Sequence, residues 1–147
     1  MINLLPPTYF FIYLMAAILL HLIFPIKTIV QAPYSYSGAI FIILGAILNI
    51  WADSMFKKRK TTVKPFEKPT VLIIDGSFRF TRHPIYLGFV SILFGLALLL
   101  GTVTSFFAPI LMFITLEKKF IPQEEKNLEE VFGKEYLDYK NRVKRWL

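Results

Sequence analysis

The chain has 147 residues, no cysteine, and a formal net charge of +7, with 55% hydrophobic and only 18% charged residues and a mean hydropathy of +0.54. That length suits one domain, and so apolar a balance is too poor in polar residues to coat a soluble domain of this size. Without cysteine there are no disulfides, thiolate metal sites or thiol nucleophiles.

Tyr9 to Phe24 is apolar apart from His21, and with its flanks it makes a span of about 20 residues, the length a bilayer core requires. No basic stretch precedes it and no small-residue cleavage pattern follows, so it reads as a retained transmembrane helix rather than a signal peptide. His21 within it reads as an interhelical hydrogen-bonding group. A short connection with Pro33 leads to a second span, Gly38 to Phe56, which ends on the basic run Lys57–Lys60. Asn49 and Asp53 lie one turn apart on that span, and Asp53 stands four residues before Lys57, a spacing that suits an ion pair.

Residues 57–84 form a polar loop in which Val71 to Ile74 is either a short extended piece or an interfacial one. Ile85 to Leu116 is uncharged throughout. As one helix it would be about 48 Å long, well beyond a core of about 30 Å. A hairpin of two short helices turning near Gly101–Ser105 resolves this. Glu117 to Leu147 is a charged tail. Leu128, Val131, Phe132, Tyr136, Tyr139 and Val143 recur in it at helical spacing, which predicts an amphipathic helix that Gly133 divides. Pro122 followed by Gln123, Glu124 and Glu125 suits a helix start.

The expected architecture is therefore all-α and integral to the membrane: two N-terminal spans (1–56), a cytoplasmic loop (57–84), a helical hairpin (85–116) and a cytoplasmic tail (117–147). Sixteen of the 17 basic residues fall in the loop and the tail, Lys27 being the exception. This positive-inside pattern places both termini in the cytoplasm and turns the basic charge toward a membrane rather than a nucleic acid. Two histidines with no H-x-x-x-H spacing offer no metal constellation, and there is no P-loop, G-x-G-x-x-G or G-x-S-x-G.

Two segments carry candidate chemistry. In G-S-F-R-F-T-R-H-P-I-Y-L-G (76–88), Pro84 fixes an extended entry into a helix and sets Arg82 and His83 at its start, where unpaired N–H groups attract anions. The plainer reading is headgroup anchoring. Glu124–Glu125 could bind hydroxyls or balance a cation, or simply complement a helix dipole.

Together, R-H-P-x-Y-x-G and the later E-E-x-x-L-x-x-x-F-G-x-x-Y-x-x-Y resemble the isoprenylcysteine carboxyl methyltransferase and phospholipid methyltransferase superfamily over Asp75 to Arg145. The resemblance implies an S-adenosylmethionine-dependent methyltransferase with the cofactor at the cytoplasmic face. Arg82, His83 and Glu125 are then catalytic, and His83, Tyr86, Gly88, Glu124 and Glu125 hold the cofactor. Tyr136, Tyr139 and Arg145 match the tail signature, with Lys144 where many members have proline. The implied acceptor is lipophilic, an isoprenylcysteine-type carboxylate in the first place, a phospholipid amine or other small molecule in the second. A membrane reductase using NADPH and a non-catalytic scaffold are the competing readings. A small form of this kind suits a prokaryotic plasma membrane.

Overall fold

The computed structural model describes residues 4–62, 64 and 66–147, and the described residues form helices and turns with no strand. The helices are α1 (Pro6–Ile23), α2 (Ser37–Arg59), α3 (Pro84–Leu100), α4 (Phe107–Thr115), α5 (Ile121–Phe132) and α6 (Lys134–Arg142). Two segments, Pro6–Ile23 and Tyr34–Arg59, are long and apolar enough to cross a membrane; α3 is apolar but shorter. Only 17% and 11% of those two spans are buried inside the protein, whereas the core helix of a soluble domain would be mostly covered. Ile40, Ile43, Ile47 and Ile50 of α2 all face outward. Such a surface is stable against lipid and not against water.

The tightest packing joins α2 to α3. Gly38, Gly45 and Ala52 recur every seven residues along the buried face of α2, opposite Gly95 and Gly88 of α3. A Cβ on Gly45 would lie 2.7 Å from the Gly88 carbonyl oxygen, and one on Gly95 would lie 2.8 Å from Ile42 Cγ1. Small residues let two backbones approach this closely and gain dispersion contacts where no hydrophobic force acts between apolar helices in lipid.

The end of α3 is stitched to the chain that follows α1. Gly101 adopts φ 70° as the cap of α3, and its carbonyl accepts from the amides of Ile29 and Val30 at 2.8 and 3.2 Å. His21 Nδ1 lies 3.2 Å from Thr102 Oγ1, so the histidine of the first span reaches the turn after α3. That turn, Val103–Phe106, reverses the chain into α4.

The expected boundary between hairpin and tail differs in the structure. The helix runs on from α4 through a π-helical turn, Leu116–Phe120, into α5. Pro122 has no amide to donate and its ring crowds the preceding turn, and a π turn just before it accommodates both defects without ending the helix. The tail breaks at Gly133 (φ 51°), as its sequence position suggested. Leu128, Phe132, Tyr136, Tyr139 and Val143 pack inward, while Val131 is exposed. Val71–Ile74 forms no strand, and Ile73 is buried against Ala52, Phe78, Tyr136 and Tyr139.

Two apolar clusters result. One gathers Phe10, Tyr86, Leu93, Met112, Leu116, Phe120 and Ile121 from α1, α3 and the α4–α5 helix. The other ties α2, the loop before α3 and α6 together, and Ile85 touches both. The start of α3 is thereby clamped between them.

Gly45→Leu should lower stability by about 1–3 kcal/mol through overpacking. Ile47→Leu, on the outward face of the same helix, should change it by less than about 0.5 kcal/mol. Thermal midpoints in detergent compare the two; equal effects would contradict the close-packed α2–α3 seam.

Candidate active site at the start of α3

His83 is the residue before Pro84 and caps α3 with φ −128° and ψ 62°, outside the helical region, as a residue preceding proline must be. Its side chain is 2% exposed and aims both ring nitrogens at the start of α5: Nδ1 lies 3.5 Å from Glu124 Oε2 and Nε2 lies 3.4 Å from Glu125 Oε1. The ring stacks on Tyr86, one turn into α3, with centroids 5.5 Å apart and planes 7° from parallel. Its orientation is thus set from two sides.

Glu125 is the centre of a buried ion cluster. Arg82 Nη2 lies 3.0 Å from its Oε1, and Arg145 donates through Nε at 3.1 Å to Oε1 and through Nη2 at 2.8 Å to Oε2. This paired donation suits the planar guanidinium fork. Burial pushes the Glu125 carboxyl up, but hydrogen bonds from His83 and Arg145 and the charges of Arg82 and Arg145 outweigh it and hold it down at about 2. Burial likewise pushes the His83 imidazole down, and hydrogen bonds and charge from Glu124 and Glu125 reverse that, so the net direction is up. His83 therefore keeps its proton to a higher pH than a free imidazole.

The C-terminal segment straps this cluster down. Val143 leaves α6 in an extended conformation, the Lys144 carbonyl accepts from the Arg82 amide at 3.0 Å, and the Arg145 carbonyl accepts from Thr81 Oγ1 at 2.8 Å. Lys144 acts here through its backbone carbonyl, a contact that does not depend on its side chain. Arg145 also pairs with Glu117, and Trp146 Nε1 donates to Glu117 Oε2 at 3.0 Å. Sequence reasoning passed over Glu117 and Thr81. Glu117 is the first charge after the long apolar run, and only the π turn between it and Glu125 brings both acids to one arginine.

Two cavities meet at these residues. The wider, about 220 Å³, is largely apolar and runs from Leu5, Pro6 and Pro7 at the start of α1 to Ile85, Tyr86 and Phe89 of α3. The narrower, about 50 Å³, lies toward the loop and tail and is lined by Thr62, Glu67, Asn127, Tyr136 and Tyr139 among others. Phe56, Lys64, Phe78, Arg82, His83 and Glu124 line both.

The structure thus gathers Arg82, His83, Tyr86, Glu124 and Glu125 at one place. Gly88 lines neither cavity; it faces α2, where a Cβ would lie 2.6 Å from Asn49 Cγ. Asp53 pairs with Lys57 at 2.5 Å, as the spacing suggested, and His21 belongs to the opposite end of the bundle. Among the described residues no group of three or more His, Asp or Glu is arranged to hold a metal ion.

A helical bundle with this buried acidic–basic cluster beside paired cavities has the organisation of a membrane-associated enzyme domain. The chain belongs to the phospholipid methyltransferase family, which it matches over residues 34–135. It is 32% identical over 111 residues to a probable protein-S-isoprenylcysteine O-methyltransferase of Oryza sativa subsp. indica, covering 74% of this chain and 58% of that protein. It is 37% identical over 114 residues to the protein-S-isoprenylcysteine O-methyltransferase of Saccharomyces cerevisiae, covering 72% of this chain and 45% of the relative. An uncharacterized protein of Haemophilus influenzae is 37% identical over 62 residues, which cover 98% of that protein and 42% of this chain. The chain spans about half the length of the named methyltransferases it matches. No solved structure matches it.

Glu125 contributes stability that is full above its unfolded value of 4.5 and is lost as pH falls toward about 2. Glu125→Gln should therefore cost about 3 kcal/mol near neutrality. The deficit should shrink as pH is lowered to 3, because the wild type progressively loses the same carboxylate contribution. Denaturation across that range in detergent checks it; a deficit independent of pH would contradict the ion cluster.

Proposed function

We propose that this protein is an S-adenosylmethionine-dependent methyltransferase working at the cytoplasmic membrane face on a lipophilic acceptor. The observation that carries the reading is the junction of a largely apolar cavity and a narrower, more polar one at Arg82, His83 and Glu124. Lys57–Lys60 lie at the end of α2 that borders this junction, and basic flanks favour the cytoplasmic side. The named relatives support the reaction class.

The residues fit the cofactor. Beside the narrow cavity Arg82 Nε and the Tyr136 hydroxyl are buried without a partner among the described residues, and the wide cavity opens from the apolar start of α1. S-adenosylmethionine supplies a methyl group on a sulfonium, which a nucleophile takes by in-line displacement. The protein's part in such a reaction is positioning and exclusion of water. Glu124 puts negative charge on the wall of both cavities, where a cationic group would be held, while Glu125 is taken up by Arg82 and Arg145. His83, locked between the two carboxylates and stacked on Tyr86, shapes the wall between the cavities. Gly88 acts at one remove, by letting α3 lie close enough to α2 to fix the position of Tyr86.

The acceptor is favoured by the way the site's candidate base is held. A carboxylate is ionised at neutral pH and needs no base, whereas an amine must lose a proton. His83 has both ring nitrogens directed at carboxylates, so neither is turned toward a proton on the acceptor, and this geometry favours a carboxylate acceptor of the isoprenylcysteine type. Glu124, held against His83 Nδ1 at 3.5 Å and lining both cavities, is the group that would serve if the acceptor were a phospholipid amine.

Calorimetry on detergent-solubilised protein should detect binding of S-adenosylmethionine or S-adenosylhomocysteine. His83→Ala and Glu125→Ala should each weaken it at least about a hundredfold while circular dichroism stays helical. Absence of wild-type binding, with the protein folded, would overturn the assignment.

A further inference from the structure

The residues that lead into α3 divide between inside and outside. Ser77, Phe78, Thr81 and His83 are buried, while Arg79 and Phe80 between them are exposed, Phe80 by 66%. Thr81 and Arg82 are tied to the C-terminal strap, and the Phe78 carbonyl accepts from the Tyr139 hydroxyl at 2.7 Å. The loop is thus held on its inner side and turns a phenyl ring outward. One exposed ring by itself needs no explanation. This ring has a second beside it, on a helix whose outer face suits lipid.

The loop starts level with the basic end of α2, where Arg59 Nη2 lies 2.8 Å from Asp75 Oδ2. It then runs back along α2: a Cβ on Gly76 would lie 3.0 Å from the Met55 sulfur and 3.4 Å from Trp51 Nε1. The Phe80 ring comes to 6.4 Å from the Trp51 ring. Trp51 is itself exposed and continues the outward stripe of Ile43, Ile47 and Ile50. It stands eight residues before Arg59, about 12 Å along the helix, in the boundary zone where aromatic rings collect in membranes. Cations stand above the rings. Lys58 follows Trp51 by two turns on the same face, and neither its side chain nor that of Arg79 makes a hydrogen bond or ion pair among the described residues.

Exposed rings at the boundary with unpaired cations just above them are complementary to an anionic phospholipid leaflet, its tails against the rings and its phosphates against the cations. We infer that Phe80, Trp51 and Arg79 form a foot that seats the loop before α3 in the membrane interface, Phe80 among lipid tails and Arg79 on an anionic lipid phosphate. The loop is then held between two surfaces, the C-terminal strap inside and the leaflet outside, and Arg82 and His83 take their positions from both. This rests on α2 lying in lipid and is independent of the methyl-transfer reading.

The chain has no cysteine, so a single introduced one carries a nitroxide label without background. Labelled Phe80→Cys and Ile47→Cys proteins in phosphatidylglycerol nanodiscs compare the loop with the outer face of α2. Collision with oxygen reports lipid, and collision with a water-soluble nickel chelate reports water. The oxygen-to-nickel ratio should exceed one at both positions. At position 80 it should fall when phosphatidylcholine replaces phosphatidylglycerol, and fall likewise when Arg79→Gln is added in phosphatidylglycerol. A label at 80 that meets nickel more, beside one at 47 that meets oxygen more, would overturn the inference. So would a label at 80 shielded from both reagents and broadened by a neighbouring nitroxide, which would put a second copy of the chain there, and so would indifference to both headgroup and Arg79→Gln. Water at both positions would overturn the membrane reading of α2, and the foot with it. Phe80→Trp keeps an aromatic ring and repeats the test without a label. The emission it adds should be quenched by lipid tails brominated near the headgroup, and quenching by aqueous acrylamide alone would contradict the foot.

Discussion

The pairing of Glu125 with Arg82 and Arg145 is the constraint from which the rest of the site takes its form. Glu125 comes from α5, Arg82 from the residues before α3, and Arg145 from the last turns of the chain. A buried carboxylate cannot remain ionised without such partners, and a buried guanidinium is equally costly alone. Meeting the charge requirement of one acid therefore brings three distant segments together. Net stability is not the chief product, since buried ion pairs contribute little over apolar packing. What they do supply is register, and here that register sets His83 against Glu124 and Tyr86.

The membrane part of the fold serves that register. Close approach of α2 and α3 along their glycines gives the start of α3 a rigid support, and the Gly101 turn anchors its far end. The π turn completes the frame from the other side. It carries the α4–α5 helix past Pro122 and leaves Glu117 and Glu125 both able to reach Arg145. A helix broken at Pro122 would free the acidic pair from the bundle. The extended strap of residues 143–146 then closes over the loop through backbone carbonyls, which is why the side chain at 144 matters little.

Much of this was legible in the sequence, for physical reasons that differ by element. Long apolar runs ending in lysines announce helices and their polar ends, and Gly101 and Gly133 mark turns because few other residues accept a positive φ. Arg82, His83, Tyr86, Glu124 and Glu125 were legible through the motif pair. Gly88 was legible as part of the motif, but its packing against α2 was not, since a glycine in a motif does not say whether a ligand or a helix lies against it. Three features depend on tertiary packing alone. The continuous α4–α5 helix sets a proline signal against a π turn. Glu117 joins the cluster only once that turn exists. Tyr139 donates to the Phe78 carbonyl while the Tyr136 hydroxyl has no partner among the described residues, a difference that rests on where one carbonyl happens to lie.

The central claim is that a soluble methyl donor and a lipid-borne acceptor meet where the two cavities join. Incubating membranes containing the protein with S-adenosylmethionine labelled on the methyl carbon tests this most directly, with the Glu125→Ala protein in parallel. The account predicts label in the lipid-soluble fraction with wild type only, released as methanol by mild alkali, as a methyl ester requires. Label that resists alkali would contradict the carboxylate acceptor, and label that never enters the lipid-soluble fraction would contradict the account itself.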